Sequence, residues 1–133
     1  MNMKILIIDD NPFNCEDYIA PLSESFDVTV CMSLRDAKRK VEMYNYDLII
    51  IDIMMPTSGI KDKDELKTGL NFYNEELKPL ESVKVLQILF WSNLSQKTYD
   101  DFFTAHKPDN VDFLHKELRN KNHLFEKVTE LLK

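Results

Sequence analysis

Six residues stand where short apolar runs give way to polar chain, and their types are complementary. Asp9 and Asp10 follow KILII, Asp52 follows LIII, Ser92 and Asn93 follow a run ending in Phe90, and Lys116 follows VDFLH. If the runs are neighbouring strands, three carboxylates converge on one crevice. Carboxylates that close repel by roughly 4 kcal/mol per pair at 4 Å and an effective dielectric near 20. Such a cluster needs a cation. Magnesium suits it, being a hard ion that takes oxygen ligands, keeps several waters and bridges carboxylates to phosphate. Lys116 brings a second positive charge for Asp52 or a phosphoryl oxygen, and Ser92 a hydroxyl donor. A carboxylate is a weak nucleophile, but it accepts a phosphoryl group when a metal and an ammonium neutralise the incoming oxygens and fix an in-line approach.

Each residue alone has a plainer reading. An Asp after a strand is commonly a turn former or helix cap, and a Lys there is commonly a surface residue. Asp52 is harder to dismiss, because it lies between LIII and MMP, at the edge of an apolar core where an unpaired charge is costly. The combination of strand ends carries the argument.

The elements that must position these residues are legible as alternation. Five short apolar runs, Lys4 to Ile8, Asp27 to Cys31, Leu48 to Ile51, Val83 to Phe90 and Val111 to Leu114, alternate with stretches of helical period. That is the pattern of a parallel sheet covered on both faces. In such a sheet, ligands bind at the carboxyl ends of the strands. Asn11 with Pro12, Ser33 with Asp36, and Ser95 mark helix starts. Core-facing stripes are expected from Leu34, Ala37, Val41 and Tyr44, from Leu70, Tyr73 and Leu77, from Tyr99, Phe102 and Phe103, and from Leu118, Phe125, Val128 and Leu132. Pro21 conflicts with a first helix and predicts a kink or an early end.

With 133 residues the chain reads as one domain. No apolar run approaches the ~20 residues that span a bilayer, and MNMKILIIDD is neither a signal peptide nor an anchor, so a cytoplasmic location is expected. A net charge of -6 argues against direct nucleic-acid binding. Lys38, Arg39 and Lys40 are read as a solvated helix surface. Cys15 and Cys31 have no metal-type spacing and are read as reduced thiols. His106, His115 and His123 are too scattered for a metal site, and two glycines cannot build a nucleotide-binding loop.

The motifs IIDD (Ile7 to Asp10), YDLIIIDIMMP (Tyr46 to Pro56), TGL (Thr68 to Leu70), FWSN (Phe90 to Asn93) and VDFLHK (Val111 to Lys116) follow one another along nearly the whole chain. Together they resemble the receiver domains of two-component response regulators, the CheY-like family. The resemblance implies an α/β, doubly wound five-stranded parallel sheet, (βα)5 and flavodoxin-like, with strand order 2-1-3-4-5. It implies Asp52 as phosphoacceptor, Asp10 as a direct magnesium ligand, Asp9 acting largely through water, and the backbone carbonyl of Met54 as a further ligand. Ser92 becomes the hydroxyl that follows the phosphoryl group, Phe113 the aromatic switch, and Lys116 the ammonium of the pattern. Phosphorylation then biases a two-state equilibrium on the face formed by helix four, strand five and helix five.

Three features depart from the family pattern. Glu117 stands where a proline usually follows the lysine. Residues 57–67 make a lengthened, charged loop, TSGIKDKDELK. Pro108, Asp109 and Asn110 form the turn before strand five in place of the usual Gly-Ala. The expected function is a magnesium-dependent phosphorylation switch within a single domain, 1–133. Its partners are a histidine kinase or phosphotransfer protein and an unknown downstream protein, and its state is a monomer or weak dimer. It is not an enzyme beyond assisting its own phosphorylation and dephosphorylation. A receiver-like interaction module that is never phosphorylated is the alternative. An aspartyl phosphatase of the haloacid dehalogenase type needs a second acid two residues after the nucleophile, where this chain has Met54.

Overall fold

The computed structural model describes residues 2–9, 16–52, 68–93, 95–103, 108–116 and 120–132. The strands are β1 (Lys4–Ile8), β2 (Asp27–Cys31), β3 (Leu48–Ile51), β4 (Ile88–Ser92) and β5 (Val111–His115). They are interleaved with α1 (Glu16–Ser25), α2 (Leu34–Met43), α3 (Thr68–Phe72), α4 (Gln96–Phe102) and α5 (His123–Leu131). All strand pairs are parallel, in the order β2-β1-β3-β4-β5.

The three central strands are apolar at nearly every position because helices cover both sheet faces. Period-two alternation divides their side chains between two cores. Leu6, Ile8, Ile49, Ile51, Ile88 and Phe90 pack with Ala37, Val41, Leu70, Tyr73 and Tyr99 on one face. Ile5, Ile7, Leu48, Ile50, Leu89 and Trp91 pack with Tyr18, Leu22, Leu124 and Val128 on the other.

The expected caps at Ser33 and Ser95 form, their hydroxyl oxygens accepting from the Asp36 and Thr98 backbone N–H groups at 3.2 Å each. The proposed start at Asn11 and Pro12 lies outside the described residues, as do Cys15, His106, Leu118 and the 57–67 loop. Lys38 pairs with Glu76 at 2.6 Å and Arg39 with Asp36 at 2.7 Å, both pairs partly exposed, as a solvated helix surface requires.

Four expectations need correction. Of the kink or early end expected at Pro21, the early end does not occur, since helix α1 runs through Pro21 to Ser25. A proline deletes one helical hydrogen bond, but Tyr18, Ile19 and Leu22 bury the apolar stripe that holds both halves. Strand β4 begins at Ile88, five residues later than expected. Val83 and Val85 are 78% and 96% exposed, and Lys84 instead donates to the Val41, Glu42 and Tyr44 carbonyls at the end of α2. Tyr44 is half exposed beyond that helix and adds nothing to its buried stripe. Leu70, Tyr73 and Leu77 are buried as expected, but α3 widens into a π-helical turn at Tyr73–Leu77 and tightens into a 3-10 turn at Lys78–Ser82. There the Tyr73 hydroxyl donates to Glu81 at 2.8 Å.

Candidate functional site

The sheet ladder continues one residue past the strand ends and fixes the candidate residues by their backbones. The Asp9 N–H donates to the Cys31 carbonyl at 3.0 Å, the Asp52 N–H to the Ile8 carbonyl at 3.0 Å, and the Lys116 N–H to the Ser92 carbonyl at 2.9 Å. Each polar residue is therefore tied to the end of a neighbouring strand before its side chain does anything.

The side chains then converge. Lys116 Nζ lies 3.7 Å from a carboxylate oxygen of Asp52 and 3.9 Å from one of Asp9. Side-chain exposure is 12% for Lys116, 13% for Asp52 and 4% for Asp9, so this cluster is shielded from bulk water and weakly screened by salt. Ser92 is fully buried where β4 ends. Asn93 is exposed, and its carbonyl accepts from His115 Nε2 at 3.1 Å. Phe113 is half-buried on β5, its ring 4.8 Å from that of Tyr99 and tilted by 32°.

Three of the expected site residues are thus brought together, Asp9, Asp52 and Lys116. Asp10 and Met54 lie outside the described residues. Among the described residues no three metal-ligating side chains are gathered. Two carboxylates, one buried and one largely so, sharing one ammonium form a hard-oxygen donor set, which fits a cation that retains much of its water.

Two residues beside the site were given no role in it from the sequence. The Lys116 ammonium lies 4.7 Å from the centroid of the Trp91 ring. Trp91 Nε1–H donates at 2.9 Å to Nε2 of His123, which is buried at the start of α5. Alternation in FWSN places Trp91 on the opposite sheet face from Phe90, and that was the available signal. Nothing in the sequence placed His123 against it.

Comparison with known proteins decides the family, because the model of the response regulator receiver domain matches residues 5–129. The chain belongs to that family. Receiver domains are the phosphorylation-based signalling modules of two-component systems, and they interact with histidine kinases or phosphotransfer proteins. Among solved structures, this receiver domain is similar to the response regulator TrrA of Thermotoga maritima in complex with Mg2+ and BeF. The two are 26% identical with a TM-score of 0.70, over 98% of this chain and 99% of that one. The receiver domain of Francisella response regulator 1452 is 25% identical, with a TM-score of 0.69 over 98% and 97% of the two chains. Chemotaxis protein CheY4 of Vibrio cholerae, at 20% identity, shares the fold with a TM-score of 0.76 over 99% and 100%. No curated protein sequence matches the chain. No helix among the described residues is long and apolar enough to cross a membrane.

On the far side of Phe113 the receiver domain keeps two tyrosine hydroxyls in its core. Burial is the main cause that raises both above the ordinary value of 10.0, with Glu81 adding to it for Tyr73 and the Asp112 charge for Tyr99. A group whose folded pKa is raised binds its proton more tightly folded than unfolded, so its contribution to stability is complete below the unfolded value. It is lost as pH rises from about 10 toward the folded value. The urea midpoint is therefore expected to fall between about pH 8 and about pH 11, and to fall less in a Tyr73→Phe/Tyr99→Phe chain. The Tyr99 hydroxyl has no hydrogen-bond partner among the described residues, so Tyr99→Phe alone is expected to stabilise the neutral-pH protein by about 1 kcal/mol. A destabilised Tyr99→Phe variant in urea titration would contradict this.

Proposed function

We propose that this receiver domain is a magnesium-dependent switch in which Asp52 accepts a phosphoryl group from a histidine kinase or phosphotransfer protein. The observation that supports it best is the Lys116 ammonium set between the Asp52 and Asp9 carboxylates in a shielded crevice. Asp52 attacks phosphorus in line through a carboxylate oxygen. A new P–O bond forms as the bond from phosphorus to the donor's nitrogen, or to the oxygen of a small acyl phosphate, breaks. The leaving atom takes the electron pair.

Lys116 neutralises charge on the transferred oxygens, which is worth most where water is excluded. Asp9, Asp10 and Asp52, with the Met54 backbone carbonyl, would hold magnesium, which when bound supplies charge neutralisation and orientation of phosphoryl oxygens. Ser92 donates to a phosphoryl oxygen from the end of β4. Phe113, stacked on Tyr99, carries the change to the α4–β5–α5 face. The phosphoryl group shifts the equilibrium only by its differential contacts in the two states.

The test is intact mass after incubation with acetyl phosphate and magnesium, with Asp52→Asn alongside. One phosphoryl adduct that requires magnesium and vanishes in Asp52→Asn is the expected result. No adduct, together with no Trp91 fluorescence response to magnesium or to a beryllofluoride mimic, would replace this reading with the unphosphorylated interaction module.

A further inference from the structure

We infer that Trp91 is a positioning residue for Lys116, and that His123 holds Trp91 in that role, an inference that rests on the proposed phosphoacceptor chemistry. Lysine is a flexible four-carbon chain, and ordering its ammonium over a carboxylate costs rotamer entropy. Something beside the carboxylates must limit where Nζ goes. The indole face does so. Lys116 Nζ sits 4.7 Å from its centroid while facing Asp52 at 3.7 Å and Asp9 at 3.9 Å. The ring's negative face attracts the ammonium, and more strongly in a shielded site than in water.

The ring is itself fixed from three directions. Its Nε1–H donates to His123 Nε2 at 2.9 Å. Tyr18 meets it edge-on at 5.7 Å and meets His123 edge-on at 5.3 Å. Trp91 is 1% exposed, packed among the α1 and α5 side chains. The hydrogen bond also selects a tautomer. Nε2 must be unprotonated to accept, so the ring proton is on Nδ1, which donates to the Asn120 carbonyl at 2.7 Å. Asn120 accepts in addition from the His123 backbone N–H at 3.3 Å, and its side chain from the Asn122 N–H at 3.0 Å.

One side chain thus engages both Lys116, through the indole face, and His123, through the indole N–H.

The test measures phosphorylation rate against acetyl phosphate concentration, with magnesium saturating, for the wild-type chain and for Trp91→Leu, Trp91→Phe and His123→Leu. NMR of the Lys116 ε-methylene protons accompanies it, since an indole face shifts them upfield. The expected results are an upfield-shifted Lys116 in the wild type and a maximal rate about threefold to thirtyfold lower in Trp91→Leu. Most of that rate should return in Trp91→Phe, which keeps a ring face, and a smaller loss with a weakened Lys116 shift is expected in His123→Leu. An unshifted Lys116 in the wild type, or a folded Trp91→Leu with wild-type rate, would overturn the inference. Should Trp91→Leu fail to fold, a folded His123→Leu with unchanged rate and shift would overturn it equally. A shifted Lys116 in a wild-type chain that takes no phosphoryl group would defeat the proposed function and leave the clamp standing.

Discussion

Lys116→Met is expected to lower the unfolding free energy by about 3 kcal/mol in the absence of magnesium and to slow phosphorylation of Asp52 by orders of magnitude. Methionine keeps the length and apolar stem of lysine, so packing changes little and the effect is electrostatic. The ammonium lies 3.7 Å from Asp52 and 3.9 Å from Asp9, and all three side chains are mostly buried. Removing one member of a buried charged set leaves the others desolvated without that compensation, and here the two that remain have the same sign.

Two controls separate this from an ordinary packing defect. Adding Asp52→Asn to Lys116→Met removes one of the two like charges, so the double variant should recover part of the loss, with a coupling energy of about 1–3 kcal/mol. Magnesium bound as proposed would replace the missing cation, so it should raise the urea midpoint of Lys116→Met by more than it raises that of the wild type. Additive losses in the double variant, measured by urea titration, would mean that the ammonium and the Asp52 carboxylate do not stabilise one another.

The residues that form this cluster were readable from sequence because strand ends are readable. Apolar runs of four or five residues followed at once by Asp, Asp or Ser mark the points where chain leaves a doubly covered sheet, and parallel topology sends all those points to one edge. The same logic failed at the start of β4. Val83 and Val85 are apolar and β-branched, yet they precede the strand and stand exposed, and the chain just after them is held by Asn110, at the turn before β5, which donates to the Leu86 carbonyl at 2.9 Å. That contact spans 24 residues, and β propensity carries no information about it.

Trp91 and His123 illustrate a different limit. Alternation says which sheet face a tryptophan occupies, but not which partner its N–H finds, and a buried indole N–H needs one. His123 lies 32 positions away on the last helix, seven residues beyond Lys116. Only the packing of α5 against the sheet brings the two together. Helix starts behaved in the opposite way: Ser33 and Ser95 are satisfied within three residues, so composition alone located them.

Phe90→Ala is expected to cost about 4 kcal/mol of stability, read from urea unfolding of the unphosphorylated chain. Phe90 is fully buried in the middle of one core, with ring centroids of Tyr73, Tyr99 and Phe103 at 6.0, 5.9 and 6.5 Å. Truncation to alanine removes the transfer free energy of the ring and leaves a cavity, and helices held by aromatic edges collapse into it only partly. The loss should also reach Phe113, because Tyr99 packs on both Phe90 and Phe113. In Phe90→Ala the Phe113 ring loses support on one side, so its protons should show altered shifts or faster ring averaging, while Trp91 across the sheet keeps its environment. The two residues are adjacent in sequence and opposite in space. Equal perturbation of both by NMR would mean that the two cores do not respond independently across the sheet.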